Sequence, residues 1–110
     1  MMKIEKARQI KGPSYIHVLS VCPTGWRCPS NLSIKVGRLA VETGIFPLYE
    51  VENGKYKLNI DLPKLRPIDD YLKLQGRFRH LTKDNIAEIQ ARVDAEYNKV
   101  KGLASWKAKK

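Results

Sequence analysis

Two cysteines, Cys22 and Cys28, are the residues of this chain best suited to metal or redox chemistry. They bracket the segment Cys22-Pro23-Thr24-Gly25-Trp26-Arg27-Cys28. A thiolate is a strong ligand for zinc or for iron in a cluster, but such sites favour more closely spaced pairs and need four ligands. His17 and His80 are the only histidines available to complete a set. His17 is expected to point sideways from a strand and His80 lies far along the chain, so a self-contained zinc site is not expected and any cluster needs ligands from elsewhere. For both cysteines the simpler reading of an isolated cytosolic pair is packing. No Ser/His/Asp or Cys/His constellation and no glycine-rich phosphate loop is visible. Asp69-Asp70 fits the first turn of a helix, where carboxylates oppose the positive end of the helix dipole, better than it fits a metal or general-acid site.

The elements that must position Cys22 follow from periodicity. Residues Met2 to Ile10 carry apolar side chains at Ile4, Ala7 and Ile10 and stop at Gly12-Pro13, the pattern of a short surface helix. Tyr15 to Val21 is rich in β-branched and aromatic residues and apolar on both alternating faces, which predicts a central strand of a parallel sheet. Cys22 lies at the carboxyl end of that strand, where open α/β folds gather their ligands. Ser30 or Asn31 is a candidate N-cap, and Leu32, Val36, Leu39, Ala40 and Thr43 form one helical face that ends at Gly44. Strand, loop and helix make half of a doubly wound unit, which by itself cannot bury both faces of its strand.

Downstream, two short runs meet at Asn53-Gly54, the strongest local hairpin signal. A two-residue turn there pairs Glu52 with Lys55, Val51 with Tyr56, Glu50 with Lys57 and Tyr49 with Leu58. Pro67 is expected as the first residue of a helix whose inner face carries Ile68, Tyr71, Leu72 and Gln75, up to Gly76. Thr82 is expected to cap a last helix with the stripe Ile86, Ile89, Val93, Tyr97 and Val100.

Of the 110 residues, 43% are hydrophobic, enough for one modest domain. No run approaches the roughly 20 apolar residues of a membrane span, and the N-terminus lacks the apolar core of a secretory signal, so a soluble, cytoplasmic protein with no membrane partner is expected. The formal charge of +10 favours acidic partners. Lys99, Lys101, Lys107, Lys109 and Lys110 give a basic end, expected to be a solvated tail. Arg77-Phe78-Arg79-His80 mixes cations with an aromatic as nucleic-acid surfaces do. The simpler expectation is that Phe78 fills the core while Arg77 and Arg79 are solvated or paired with acidic neighbours.

The run from Gly12 to Trp26, containing Val18-Leu19-Ser20-Val21-Cys22-Pro23-Thr24-Gly25-Trp26, resembles a segment of the beta subunits of pyruvate (2-oxoacid):ferredoxin oxidoreductases. There it ends the thiamine-diphosphate-binding domain. Gly37-Arg38-Leu39-Ala40-Val41-Glu42-Thr43-Gly44, Pro47-Leu48-Tyr49-Glu50 and the run from Tyr71 to Leu81 resemble, in the same order, the C-terminal extension of the pyruvate-type members. The resemblance spans about Ile4 to Val93. It implies an α/β architecture: residues 1–45 as the end of the thiamine-diphosphate-binding, doubly wound domain, and residues 46–110 as a C-terminal extension of a hairpin and two helices.

In that family the beta subunit binds thiamine diphosphate and a 4Fe-4S cluster, and in anaerobic metabolism the enzyme converts pyruvate to acetyl-CoA and passes electrons to ferredoxin. The resemblance makes Cys22 the last cluster ligand. A cysteine at the end of a buried strand has a fixed origin, Pro23 stiffens its exit, and Trp26 is placed to shield a cluster. Cys28 does not carry over. The family's other three cluster cysteines, its Gly-Asp-Gly motif and its magnesium ligands lie upstream of the matching region and do not occur here. The expectation is therefore a fragment or split part of a beta subunit, not catalytic alone, whose partners are the missing N-terminal part of the subunit, the other subunits and, through the complex, ferredoxin. A stand-alone nucleic-acid-binding module and an inactive truncated product are the rival readings.

Overall fold

The computed structural model describes residues 1–106, so Lys107, Lys109 and Lys110 of the expected basic tail lie outside the described residues. The chain begins with helix α1, Met2–Gln9, which buries none of its side chains. It rests on the hairpin through polar contacts: the Lys3 ammonium donates to the Tyr49 carbonyl at 3.2 Å and Lys6 reaches the Glu50 carboxylate at 3.4 Å.

The segment from Tyr15 to Val21 departs from expectation. It is extended but joins no sheet among the described residues, and Tyr15 and Val18 are 86% and 73% exposed. A strand exists by virtue of the neighbour that accepts and donates its ladder hydrogen bonds, and none is present beside these residues. The doubly wound sheet is therefore not seen. The observed sheet consists of one hairpin.

After the one-turn helix α2, Pro23–Trp26, a 3-10 turn over Ser30–Leu32 leads into α3, Ser33–Glu42. Neither Ser30 nor Asn31 caps α3 with its side chain; the residue before the helix is Leu32, and the Ser33 hydroxyl donates back to the Ser30 carbonyl at 2.7 Å. The predicted inner face holds. Val36, Leu39, Ala40 and Thr43 are buried, with the Thr43 hydroxyl donating to the Leu39 carbonyl at 2.6 Å.

Strands β1, Tyr49–Glu52, and β2, Lys55–Leu58, pair antiparallel in the expected register, Tyr49 with Leu58 through Glu52 with Lys55. Asn53 and Gly54 have φ of 51° and 76°. Both values lie in the left-handed region that a two-residue turn requires to match the twist of its strands, and it is there that Gly is favoured over residues bearing a Cβ.

Helix α4, Ile68–Leu72, is shorter than predicted, and Pro67 precedes it instead of opening it. Gln75 is extended, with φ −119° and ψ 115°, and a 3-10 turn over Gly76–Phe78 follows. The predicted face is nevertheless correct, since Ile68, Tyr71, Leu72 and Gln75 are all buried. Helix α5, Lys83–Ser105, opens with a reciprocal cap: Thr82 Oγ1 accepts from the Asn85 amide and Asn85 Oδ1 accepts from the Thr82 amide. Val93 and Tyr97 are its buried residues, and it packs on β2 and α4. Gln90 of α5 also accepts a hydrogen bond from the Ile68 amide at 2.7 Å, satisfying a donor that the first turn of α4 leaves open.

Ion pairs tie these elements together at the surface. Arg66 bridges Glu42 of α3, at 3.1 Å, and Asp70 of α4, at 3.2 Å, while Lys73 also contacts Asp70 at 3.2 Å. The hydrogen bond from Lys73, with Arg66 beside it, holds the Asp70 carboxyl below the ordinary carboxylate range. The folded state then binds protons less readily than the unfolded chain, so this stabilisation is complete above about pH 4 and fades as pH falls through the depressed value. Urea midpoints measured from pH 6 downward should therefore fall more steeply for the wild type than for Asp70→Asn, with the two curves converging at the acid end.

Candidate functional site

The loop carrying both cysteines is built by local backbone geometry. Cys22 precedes α2 with φ −110° and ψ 98°, Pro23 occupies the first helical position, and the Trp26 amide donates to the Cys22 carbonyl at 2.8 Å. Arg27 then takes a left-handed conformation, φ 53°, and the Cys28 amide donates to the Pro23 carbonyl at 3.1 Å. This single turn separates the two thiols. Cys22 is exposed, whereas Cys28, 8% exposed, belongs to the core with Val36, Leu39, Ala40, Ile68, Tyr71 and Leu72. Cys28 is accordingly a packing residue and Cys22 the accessible one.

His17 does not join them. Its ring packs edge-on against Phe46 with centroids 5.1 Å apart. His80 is exposed on the far side of the 3-10 turn. Among the described residues no group of three or more His, Cys, Asp or Glu side chains is placed to hold a metal ion. The donor set for a four-thiolate cluster is thus one exposed cysteine, which fits as a single ligand and does not fit as a site.

A long-range clamp holds the Cys22 loop, and neither composition nor periodicity pointed to it. The Gly76 amide donates to the Arg27 carbonyl at 2.8 Å. A Cβ at residue 76 would lie 2.8 Å from the Arg27 Cβ and 3.2 Å from its carbonyl oxygen, so the approach is possible only with glycine. Next to this contact the Arg77 guanidinium lies 3.9 Å from the centre of the Trp26 ring and 4.5 Å from that of Phe78. Its Nε donates to Gln75 Oε1 at 2.8 Å, and Gln75 is itself fixed by donating to the Tyr71 carbonyl at 2.8 Å. Arg77 is therefore not ion-paired and only partly exposed, held by aromatic faces, the buried Gln75 amide and the Tyr71 hydroxyl, which accepts from Nη2 at 3.4 Å, where a solvated or ion-paired side chain was expected. Phe78 packs against the core as predicted. A sequence-level hint existed in the proximity of Gln75, Gly76 and Arg77, but nothing in it named Trp26 as their counterpart.

The loop leaves one thiol exposed, and the clamp ties the far end of that loop to the turn after α4. No family model matches the chain. Curated relatives do: it is 51% identical over 104 residues to the ketoisovalerate oxidoreductase subunit VorB of Pyrococcus furiosus, a match covering 93% of this chain and 33% of that subunit. It is 50% identical over 103 residues to the pyruvate synthase subunit PorB of Methanocaldococcus jannaschii, covering 94% of this chain and 34% of PorB. The PorB of Methanosarcina barkeri is 37% identical over 107 residues. These relatives define the class as subunits of 2-oxoacid oxidoreductases. Within it the chain is similar to the VorB and PorB beta subunits over more than nine-tenths of its own length, and it spans about a third of the length of the relatives it matches. The relatives do not favour the nucleic-acid reading, and Arg77, one of its two central cations, is engaged in the clamp.

Replacing Arg77 by Ala removes the stack and leaves the Gln75 amide short of a partner, a combination that typically costs about 1–3 kcal/mol. Alkylation of Cys22 in a Cys28→Ser background should then accelerate as the loop loosens, while Arg77→Lys, which keeps a cation without the planar stack, should fall between. An unchanged rate in Arg77→Ala would show that the loop holds its shape without the clamp.

Proposed function

We propose that the chain acts as one third of a 2-oxoacid oxidoreductase beta subunit, in which Cys22 supplies one thiolate to a 4Fe-4S cluster whose other ligands come from polypeptide outside this sequence. The observation that carries this reading is the pairing of an exposed thiol with the extended segment immediately before it, which has no strand partner among the described residues. A β-rich segment with both faces apolar and no ladder is what remains of a central strand when its neighbours are supplied from elsewhere. The resemblance to a doubly wound thiamine-diphosphate domain accounts for both features. Residues Tyr15 to Val21 would enter its sheet, and Cys22 would then sit at the strand's carboxyl end.

A bound cluster supplies one-electron transfer. The contribution of this chain is to hold Cys22 at a fixed origin, to stiffen its exit with Pro23, and to keep Trp26, pinned under Arg77, beside the thiol-bearing loop. Thiamine diphosphate and magnesium belong, on this reading, to the part of the subunit not represented here, as do contacts to the remaining subunits and to ferredoxin. One relative named for ketoisovalerate and one named for pyruvate match this chain at 51% and 50% identity, so the similarity by itself does not assign one of the two substrates. No helix among the described residues is long and apolar enough to cross a membrane, and two free cysteines suit a cytoplasmic setting.

Anaerobic co-expression with polypeptide corresponding to the unmatched two thirds of a relative tests the reading. The co-purified complex should contain a 4Fe-4S cluster, Cys28→Ala should retain it, and Cys22→Ala should lose most of its iron and its cluster absorbance. Wild-type iron content and potential in Cys22→Ala would remove Cys22 from the ligand set.

A further inference from the structure

On the outer side of the clamp, Gly25, Arg27, Gly76, Arg77, Arg79 and His80 line an open cleft of about 530 Å³. Three of the six lining residues carry guanidinium groups, and two of the others are glycines. None of the ion pairs among the described residues involves Arg27, Arg77, Arg79 or His80. Like charges converging without a counter-ion repel one another and raise the local positive potential. One of the three is also held in place, and a second is restricted at its base. Arg77 is fixed by Trp26, Phe78 and Gln75, and the stem of Arg27 is packed against Gly76, whose absent Cβ would lie 3.4 Å from Arg27 Cδ.

We propose that this cleft binds the phosphate groups of a small phosphorylated molecule. A guanidinium presents a planar fork of N–H donors that matches phosphate oxygens two at a time, and three forks around one cleft offer more donors than a single carboxylate can accept. The volume falls within the range of small-molecule sites and is larger than one phosphate needs. Preorganisation favours a small ligand further, because Arg77 is already held by Trp26, Phe78 and Gln75 before binding. Arg27 and Arg77 hold the anion against the clamp, and Arg79 closes the open side. The inference goes beyond the role of Cys22 and stands or falls without it, since no iron is needed for the cleft to form.

The test titrates inorganic pyrophosphate into the full 110-residue chain at constant ionic strength. Binding is read from phosphorus NMR line width and from Trp26 fluorescence in a Trp106→Phe background. Saturable binding is expected, weakened at least about tenfold by Arg27→Gln and by Arg79→Gln, each of which removes charge-assisted hydrogen bonds from an exposed side chain without disturbing the core. The double variant Lys35→Gln/Arg38→Gln removes two charges from the exposed face of α3 and should bind as the wild type does. Circular dichroism of each variant confirms its fold. Equal weakening by the α3 variant would reduce the effect to net charge and overturn the site. So would an absence of saturation, citrate binding as tightly as pyrophosphate, or hexaglutamate binding in place of pyrophosphate with the same arginine dependence.

Discussion

A single backbone hydrogen bond, from the amide of Gly76 to the carbonyl of Arg27, brings two distant stretches of chain to the same place. Much of the structure around Cys22 follows from it. The approach requires a residue without a side chain at position 76, turns Gln75 out of helix α4 into an extended conformation, and sets Arg77 over Trp26. The early end of α4 is thus a consequence of tertiary structure. Local propensity would have carried the helix further, but the donor at residue 76 finds its acceptor across the molecule. Arg27 adopts its left-handed backbone at the same junction, a conformation uncommon for a residue with a side chain and retained only where surrounding contacts hold it.

What could be read from the sequence divides along the range of the forces involved. The hairpin was legible to the residue pair, because Asn53-Gly54 dictates both turn type and register and the opposite charges of Glu50 and Glu52 across from Lys57 and Lys55 agree with it. The buried faces of α3 and α4 were legible from their period, even where the helix ends were not. Thr82 was legible as a cap, although its reciprocal partner, Asn85, was not singled out. The segment Tyr15 to Val21 was read as a central strand from β-propensity, which records how well side chains fit a pleated surface and says nothing about whether neighbouring strands are present. Its exposure corrects that expectation for this chain.

The candidate site shows the same division. Cys22 was separated from Cys28 through resemblance, and the structure adds a physical distinction between them, one thiol open to solvent and the other packed against α3 and α4. Arg77 was assigned to solvent or to an acidic neighbour, since no local signal links it to a tryptophan on a different loop. Guanidinium groups that stack on rings are recognised only when the fold brings the ring to them.

The polar seating of α1 has a bearing on how cooperatively the molecule opens. Helix α1 buries no side chain and touches the hairpin through Lys3 and Lys6, while the ten residues after Gly12 contribute only partly buried Leu19 and Val21 to the core cluster. Residues from α3 to α5, by contrast, share one apolar interior with buried amide and hydroxyl groups all satisfied. Free energies of local opening scale with the apolar contacts and protected hydrogen bonds that must be broken. The chain therefore consists of two exchange regimes: a C-terminal unit whose amides open together, and an N-terminal arm whose amides exchange through small excursions that leave that unit intact.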